Sequence, residues 1–201
     1  MKYNELAKIY EALSNTTKRL EKTDILSEFL KKIPKGNEEW IYLLRGKVLA
    51  DYDSREFGIS RQLIIKVISK ASGVSIDNVK TKFNKIGDLG EVAEELMKHK
   101  KQNTLYSSKV TTDKVFDNLR KLYDLEGKGS VDKKTTLIAE LLTNADGSEA
   151  KWIVRTVLSD LRIGVADNTL RDALSESFAK EDKKELSKKI EDVYDLSNDF
   201  G

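Results

Sequence analysis

Apolar residues recur at three- and four-residue intervals along almost the whole chain, which is the spacing that lines one face of a helix; strict alternation of apolar and polar positions is negligible. The first face carries Leu6, Ile9, Tyr10 and Leu13. A second carries Ile25, Leu26, Phe29, Leu30 and Ile33 before Pro34 and Gly36 stop it. Asn37 stands where it can cap a helix bearing Trp40, Ile41, Leu44, Val48 and Leu49. Ser60 precedes a broad stripe of Leu63, Ile64, Val67, Ile68 and Ala71 that ends at Gly73. Ser75 opens a segment through Phe83, and Asp88 with Glu91 predicts a capping box ahead of Val92, Ala93, Leu96 and Met97. After a polar stretch, Thr111 or Thr112, Ser130 and Ser148 are the expected caps of three helices, and Asp167 and Asp182 of the last two. The pattern predicts an all-α protein, a compact bundle of about a dozen helices forming a single domain over residues 1–201.

Composition sharpens this picture. The 201 residues carry 36 Lys+Arg against 34 Asp+Glu, a net charge of +2 that excludes a histone-like polycation. A hydrophobic content of 39% in periodic groups excludes a disordered chain. The absence of cysteine excludes disulfide frameworks, thiol nucleophiles and cysteine-based metal centres. The one histidine, His99, falls in a basic run and reads as a solvated residue at a helix end. No apolar run approaches the ~20 residues of a membrane span and the opening MKYNELAKIY has no signal-peptide core, so a cytoplasmic protein without a membrane partner is expected.

Candidate chemistry concentrates at three glycine turns before helices: Gly87-Asp88-Leu89-Gly90, Gly127-Lys128-Gly129-Ser130 and Ile163-Gly164-Val165. Glycine lets backbone approach a ligand, and the free amides at a helix start attract phosphate oxygens. Around the second turn Lys128, Lys133 and Lys134 supply mobile cations; around the third, Arg162 and Arg171 do the same. Residues 98–134 hold an excess of five cationic residues, leaving the remainder of the chain net negative. That distribution fits a polyanion-binding face, and equally a solvated basic run. Catalytic signals are poor. Asp146-Gly147 echoes a K-x-D-G nucleotidyl-transfer motif, but Asn144 stands where the lysine nucleophile is required. No catalytic and no metal-binding residue is expected. Segments 68–78 and 158–168 share a helix–glycine–cap–helix grammar that leaves a duplicated helical unit open. A helical protein-interaction module, with grooves for a partner peptide, is the competing class.

The ordered set Thr16-Thr17-Lys18-Arg19-Leu20, Leu63-Ile64-Ile65-Lys66, Ile86 to Glu91, Gly127 to Ser130, Glu149-Ala150-Lys151-Trp152, Leu161 to Val165 and Ser197 to Gly201 resembles the N-terminal DNA-binding domain of ATP-dependent DNA ligases of the archaeal type, over essentially the whole chain. The resemblance implies two pseudo-symmetric helical halves against the minor groove of nicked double-stranded DNA, reading phosphates and not bases. It implies DNA contacts at the turns, through Gly87, Asp88, Gly90, Gly127, Lys128, Gly129, Ser130, Arg162 and Gly164, to which the reading of the surrounding cations adds Lys133, Lys134 and Arg171. No cofactor is expected in this chain; ATP and Mg2+ belong, by the same resemblance, to adenylation and OB-fold domains that would follow. A sliding clamp (PCNA) is an implied further partner, through Gln102, Leu105 and Tyr106, with Leu105 standing where the family has an aromatic. A monomer is expected.

Overall fold

The computed structural model describes residues 1–98, 110–179 and 182–201. His99 and the clamp candidates Gln102, Leu105 and Tyr106 lie outside the described residues. Those described form ten α-helices and one 3₁₀ helix, with no strand: α1 (Tyr3–Ser14), α2 (Arg19–Leu30), the 3₁₀ helix (Glu38–Arg45), α3 (Arg61–Ser72), α4 (Ile76–Ile86), α5 (Leu89–Lys98), α6 (Thr112–Tyr123), α7 (Ser130–Asn144), α8 (Gly147–Val157), α9 (Asp167–Phe178) and α10 (Lys183–Ser197). The all-α class read from the periodicity is the class observed.

The chain divides into two compact units whose segments interleave: Met1–Ala7 with Arg55–Leu161, and Lys8–Ser54 with Arg162–Gly201. In the first unit α8 is the central helix, buried along its length except at Ser148, with Trp152 fully enclosed. It runs antiparallel to α5, and glycine makes the approach possible. A Cβ at Gly90 would lie 2.8 Å from Arg155 Cγ and 3.0 Å from the Lys151 carbonyl. One at Gly147 would lie 2.6 Å from Lys98 Cγ and 2.8 Å from the Glu94 carbonyl. Each helix therefore meets the other's backbone at its own first turn. Charges then line the seam. Lys98 pairs with Glu94 at 2.7 Å and Lys151 with Glu94 at 3.5 Å. Burial alone would raise the Glu94 carboxyl, but its hydrogen bonds and ion pairs with Lys98 and Lys151 outweigh that and hold it below the ordinary glutamate range.

In the second unit α2 packs on α9 and α9 on α10, over a core that includes Tyr10, Leu26, Phe29, Trp40, Leu43 and Leu170. The helix expected from Asn37 to Leu49 is a 3₁₀ helix that Gly46, at φ 68°, ends early. Trp40, Ile41, Tyr42, Leu43 and Leu44 are all buried, so this segment has no solvent face for an amphipathic α-helix to show. Tyr10 Oη donates to the Leu43 carbonyl at 2.9 Å, and Arg45 is held by Asp51 and, at 2.8 Å, by Asp167.

Caps at Ser60, Ser75, Asp88, Thr111 and Asp182 accept from the expected helix-start amides. Others shift. Gly129 takes the position before α7 and Ser130 is its first residue; Asp146, not Ser148, caps α8 in a full capping box with Glu149. Ala166, not Asp167, precedes α9, without a side-chain cap.

Gly90→Ala is expected to destabilise the first unit by about 1–3 kcal/mol, because the methyl collides with backbone that cannot move independently of α8. A thermal midpoint lowered by several degrees checks this, with Lys128→Ala as the neutral control.

Candidate nucleic-acid interface

The three glycine turns differ in how much of their polar backbone the fold already uses. At the first, Gly87 ends α4 in the left-handed region at φ 80° and is exposed. Asp88 and Gly90 are buried. Asp88 Oδ1 accepts from Glu91 N at 2.9 Å, and Arg155 donates to both of its carboxylate oxygens, through Nε at 3.4 Å and Nη2 at 3.0 Å. With side chains 9% and 8% exposed, Arg155 and Asp88 form an interior pair. Glu91, which the capping box would turn back to the cap amide, pairs instead with Arg155 at 3.4 Å. Of this turn's residues, then, Gly87 alone faces outward while Asp88 and Gly90 bind α5 to α8.

The second turn is open. Gly127 and Gly129 stand at φ 76° and 84°, a region that a side chain rarely adopts, and a Cβ at either would meet nothing within 4 Å. Ser130 N donates to the Gly127 carbonyl at 3.2 Å and Lys133 N to the Gly129 carbonyl at 3.3 Å. No side chain caps α7, so among the described residues the amides of Val131 and Asp132 have no acceptor. Lys128 and Lys133 are exposed and form no ion pair among the described residues. That is the arrangement of donors and mobile cations an anion needs.

Lys134 is different. Its Nζ donates to the Phe57 carbonyl at 2.8 Å, while the Phe57 ring stacks on Tyr123 with centroids 4.8 Å apart and Arg55 lies over the Tyr123 ring. Lys134 fastens the 55–58 segment to the start of α7. Elsewhere in the basic stretch Lys98 and Lys114 are ion-paired with Glu94 and Glu140, and Arg120 lies over the Phe116 ring. The charge excess of residues 98–134 is therefore only partly free.

The third turn belongs to the second unit. Arg162 and Gly164 are exposed and both left-handed, at φ 55° and 60°. Ile163 and Gly164 carbonyls accept from the buried Lys22 at 2.6 and 2.8 Å. Arg171 is half-buried and paired with Glu191, which ties α9 to α10. Lys22 and Arg155, the residues that organise two of these turns, were not among the sequence candidates. Neither has a local signal, since their partners stand 141 and 67 residues away.

Asp146, the one element of a nucleotidyl-transfer motif, accepts from Glu149 N at 2.8 Å and from Asn4 Nδ2 at 2.8 Å, so its carboxylate serves as a helix cap. Glu149 beside it is buried, and that burial pushes its carboxyl above the ordinary range. Among the described residues no helix is long and apolar enough to cross a membrane. A separate apolar groove of about 400 Å³ in the second unit is lined by Leu174, Phe178, Val193 and Phe200 among others.

The family model described as DNA ligase N terminus matches residues 2–175. A DNA ligase of Methanosphaera stadtmanae is 40% identical over 204 residues, covering 99% of this chain and 36% of that protein. One from Thermococcus fumicolans is 41% identical, covering 100% and 35%, and one from Nitrosopumilus maritimus is 37% identical, covering 100% and 34%. The chain spans about a third of the length of these relatives.

Lys134→Ala is expected to lower unfolding stability by roughly 1 kcal/mol through the orphaned Phe57 carbonyl, whereas Lys128→Ala changes it by less than about 0.5 kcal/mol. Urea titration of both variants checks the contrast.

Proposed function

The chain belongs to the DNA ligase N-terminus family, and from that premise we propose that it holds nicked double-stranded DNA for a ligase, through phosphate contacts along the minor groove that are indifferent to base sequence. The observation that carries this reading is the open Gly127–Ser130 turn, where uncapped α7 amides lie together on one exposed end of a helix with Lys128 and Lys133, which form no ion pair among the described residues. Lysines displace condensed counterions from phosphates and backbone amides hydrogen-bond the phosphate oxygens, neither reading bases, so affinity falls with salt and not with sequence. In the ligation of a nick the contribution of such a domain is positional. Gly87, Gly164 and Arg162 are the further exposed candidates; Asp88, Gly90, Lys134 and Arg171 act by holding those elements in place.

Adenylation chemistry is, on this reading, not carried by this chain. The Asn144–Gly147 segment does not fit it, because Asn144 cannot form a phosphoramide and Asp146 is engaged as a cap. A monomer is the proposed state, with a sliding clamp as the second partner through Gln102, Leu105 and Tyr106. The groove at Leu174, Phe178, Val193 and Phe200 favours one competing reading, a module that binds a partner peptide.

Fluorescence anisotropy with a nicked duplex at two ionic strengths tests the first reading. Each phosphate contact steepens the salt dependence by about one unit of slope. Lys128→Glu with Lys133→Glu is expected to remove binding at moderate salt while leaving the unfolding midpoint nearly unchanged; Lys134 is left intact because it anchors Phe57. Duplex affinity unaltered in that double variant would move the assignment to the peptide-binding module. Incubation with labelled ATP and Mg2+ is expected to leave the chain unlabelled, and a covalent adenylate on it would contradict the assignment of Asn144 and Asp146.

A further inference from the structure

Lys22, on α2, is 8% exposed in the second unit and sits directly beneath the Arg162–Val165 turn. Its Nζ lies 2.6 Å from where a Cβ on Gly164 would stand. It donates to the carbonyls of Ile163 and Gly164, and among the described residues it forms no ion pair. Buried charges are ordinarily compensated by opposite charge, because leaving water is costly for an ion. The nearby α9 carboxylates are engaged elsewhere, Asp167 with Arg45 at 2.8 Å and Asp172 with Arg19. Among the described residues this cation therefore meets carbonyl dipoles and no anion.

The grip on two successive carbonyls fixes what the turn shows to its other side. In a trans peptide the N–H points opposite to the C=O of the same unit. With Ile163 O and Gly164 O drawn onto Lys22, the amides of Gly164 and Val165 are directed away from it. Among the described residues neither amide has an acceptor. Successive outward amides flanked by left-handed residues form a concave anion-binding nest. Arg162 holds φ 55° without being glycine, a conformation that persists only where surrounding contacts over-determine it.

We propose that Lys22 is a positioning residue for phosphate binding: it holds the turn so that the Gly164 and Val165 amides donate to a backbone phosphate, whose charge compensates the ammonium beneath. The inference rests on the DNA-binding reading and names the residue and the amides that this turn would use.

Amide resonances of the whole 201-residue chain, followed during titration with nicked duplex at low salt, test it together with the Lys22→Met and Lys22→Arg variants. In the unsubstituted chain the Gly164 and Val165 signals are expected to move with binding. Lys22→Met is expected to lower affinity on the order of tenfold and to reduce the salt slope by about 1, with partial recovery of both in Lys22→Arg. A purely structural lysine would lower affinity without changing the slope, and that result overturns the proposal. So does tight binding that leaves both amide signals in place, a measurement that stands even if Lys22→Met does not fold. If duplex binding depends on Lys128 and Lys133 while these amides stay silent, this inference falls and the DNA-binding reading survives. If the unsubstituted chain binds no duplex, both fall.

Discussion

Two helices of the first unit meet backbone to backbone, and the placement of everything around them follows from that contact. Gly90 at the start of α5 and Gly147 at the start of α8 leave no room for a methyl group, so the pair cannot slide or rotate without a collision. Once that distance is set, Arg155 reaches Asp88 with both ends of its guanidinium and Lys151 reaches Glu94. The interior ion pair is best understood as a geometric device: desolvation offsets most of its Coulomb gain, but an Arg155 or Asp88 left alone would be a costly buried charge. The seam thus fixes the orientation of the Gly87 turn, since Asp88 is both its next residue and the cap of α5.

The same logic separates glycine turns that present their amides from those that use them internally. The start of α5 has an aspartate as cap, and the start of α8 has Asp146 and Glu149 in reciprocal hydrogen bonds. The start of α7 has a glycine, which supplies shape and no acceptor. A helix start without a side-chain acceptor leaves its positive end to solvent or to a ligand. Lys128 and Lys133 reinforce that potential, which the first-turn Asp132 offsets in part, whereas Asp88 and Asp146 accept the helix-start amides directly at the other two starts.

Periodicity and capping grammar made the helices legible from sequence, because both are local. Ser60, Ser75, Thr111 and Asp182 were readable from the apolar residues that follow them. Ser148 was a misplacement that the spacing could have corrected, since Asp146 precedes Glu149 by three residues and completes the reciprocal box. The 3₁₀ helix was not legible: its apolar residues are consecutive, and only tertiary burial on all sides explains them. Nor was the interleaving of the two units, which depends on contacts between residues far apart in sequence. At the candidate site the glycines at 127 and 129 announced their left-handed backbone. Arg162 at φ 55° could not, because nothing in an arginine signals it.

Charge counting explains least, and the reason is physical. A lysine contributes most to a polyanion-binding field where no carboxylate of the protein neutralises its ammonium, and the fold sorts lysines of identical sequence appearance into different fates. Lys133 and Lys134 are neighbours, yet one is exposed and the other is bonded to a carbonyl 77 residues away. Lys22 stands on a helix whose first turn is exposed and still points its charge inward. The net charge of +2 therefore says little about association with DNA. What matters is how many ammonium groups stand near such a turn without a carboxylate of the protein to neutralise them, because each can replace a counterion on the phosphate backbone, while the open amides of the same turn add hydrogen bonds that orient the phosphate.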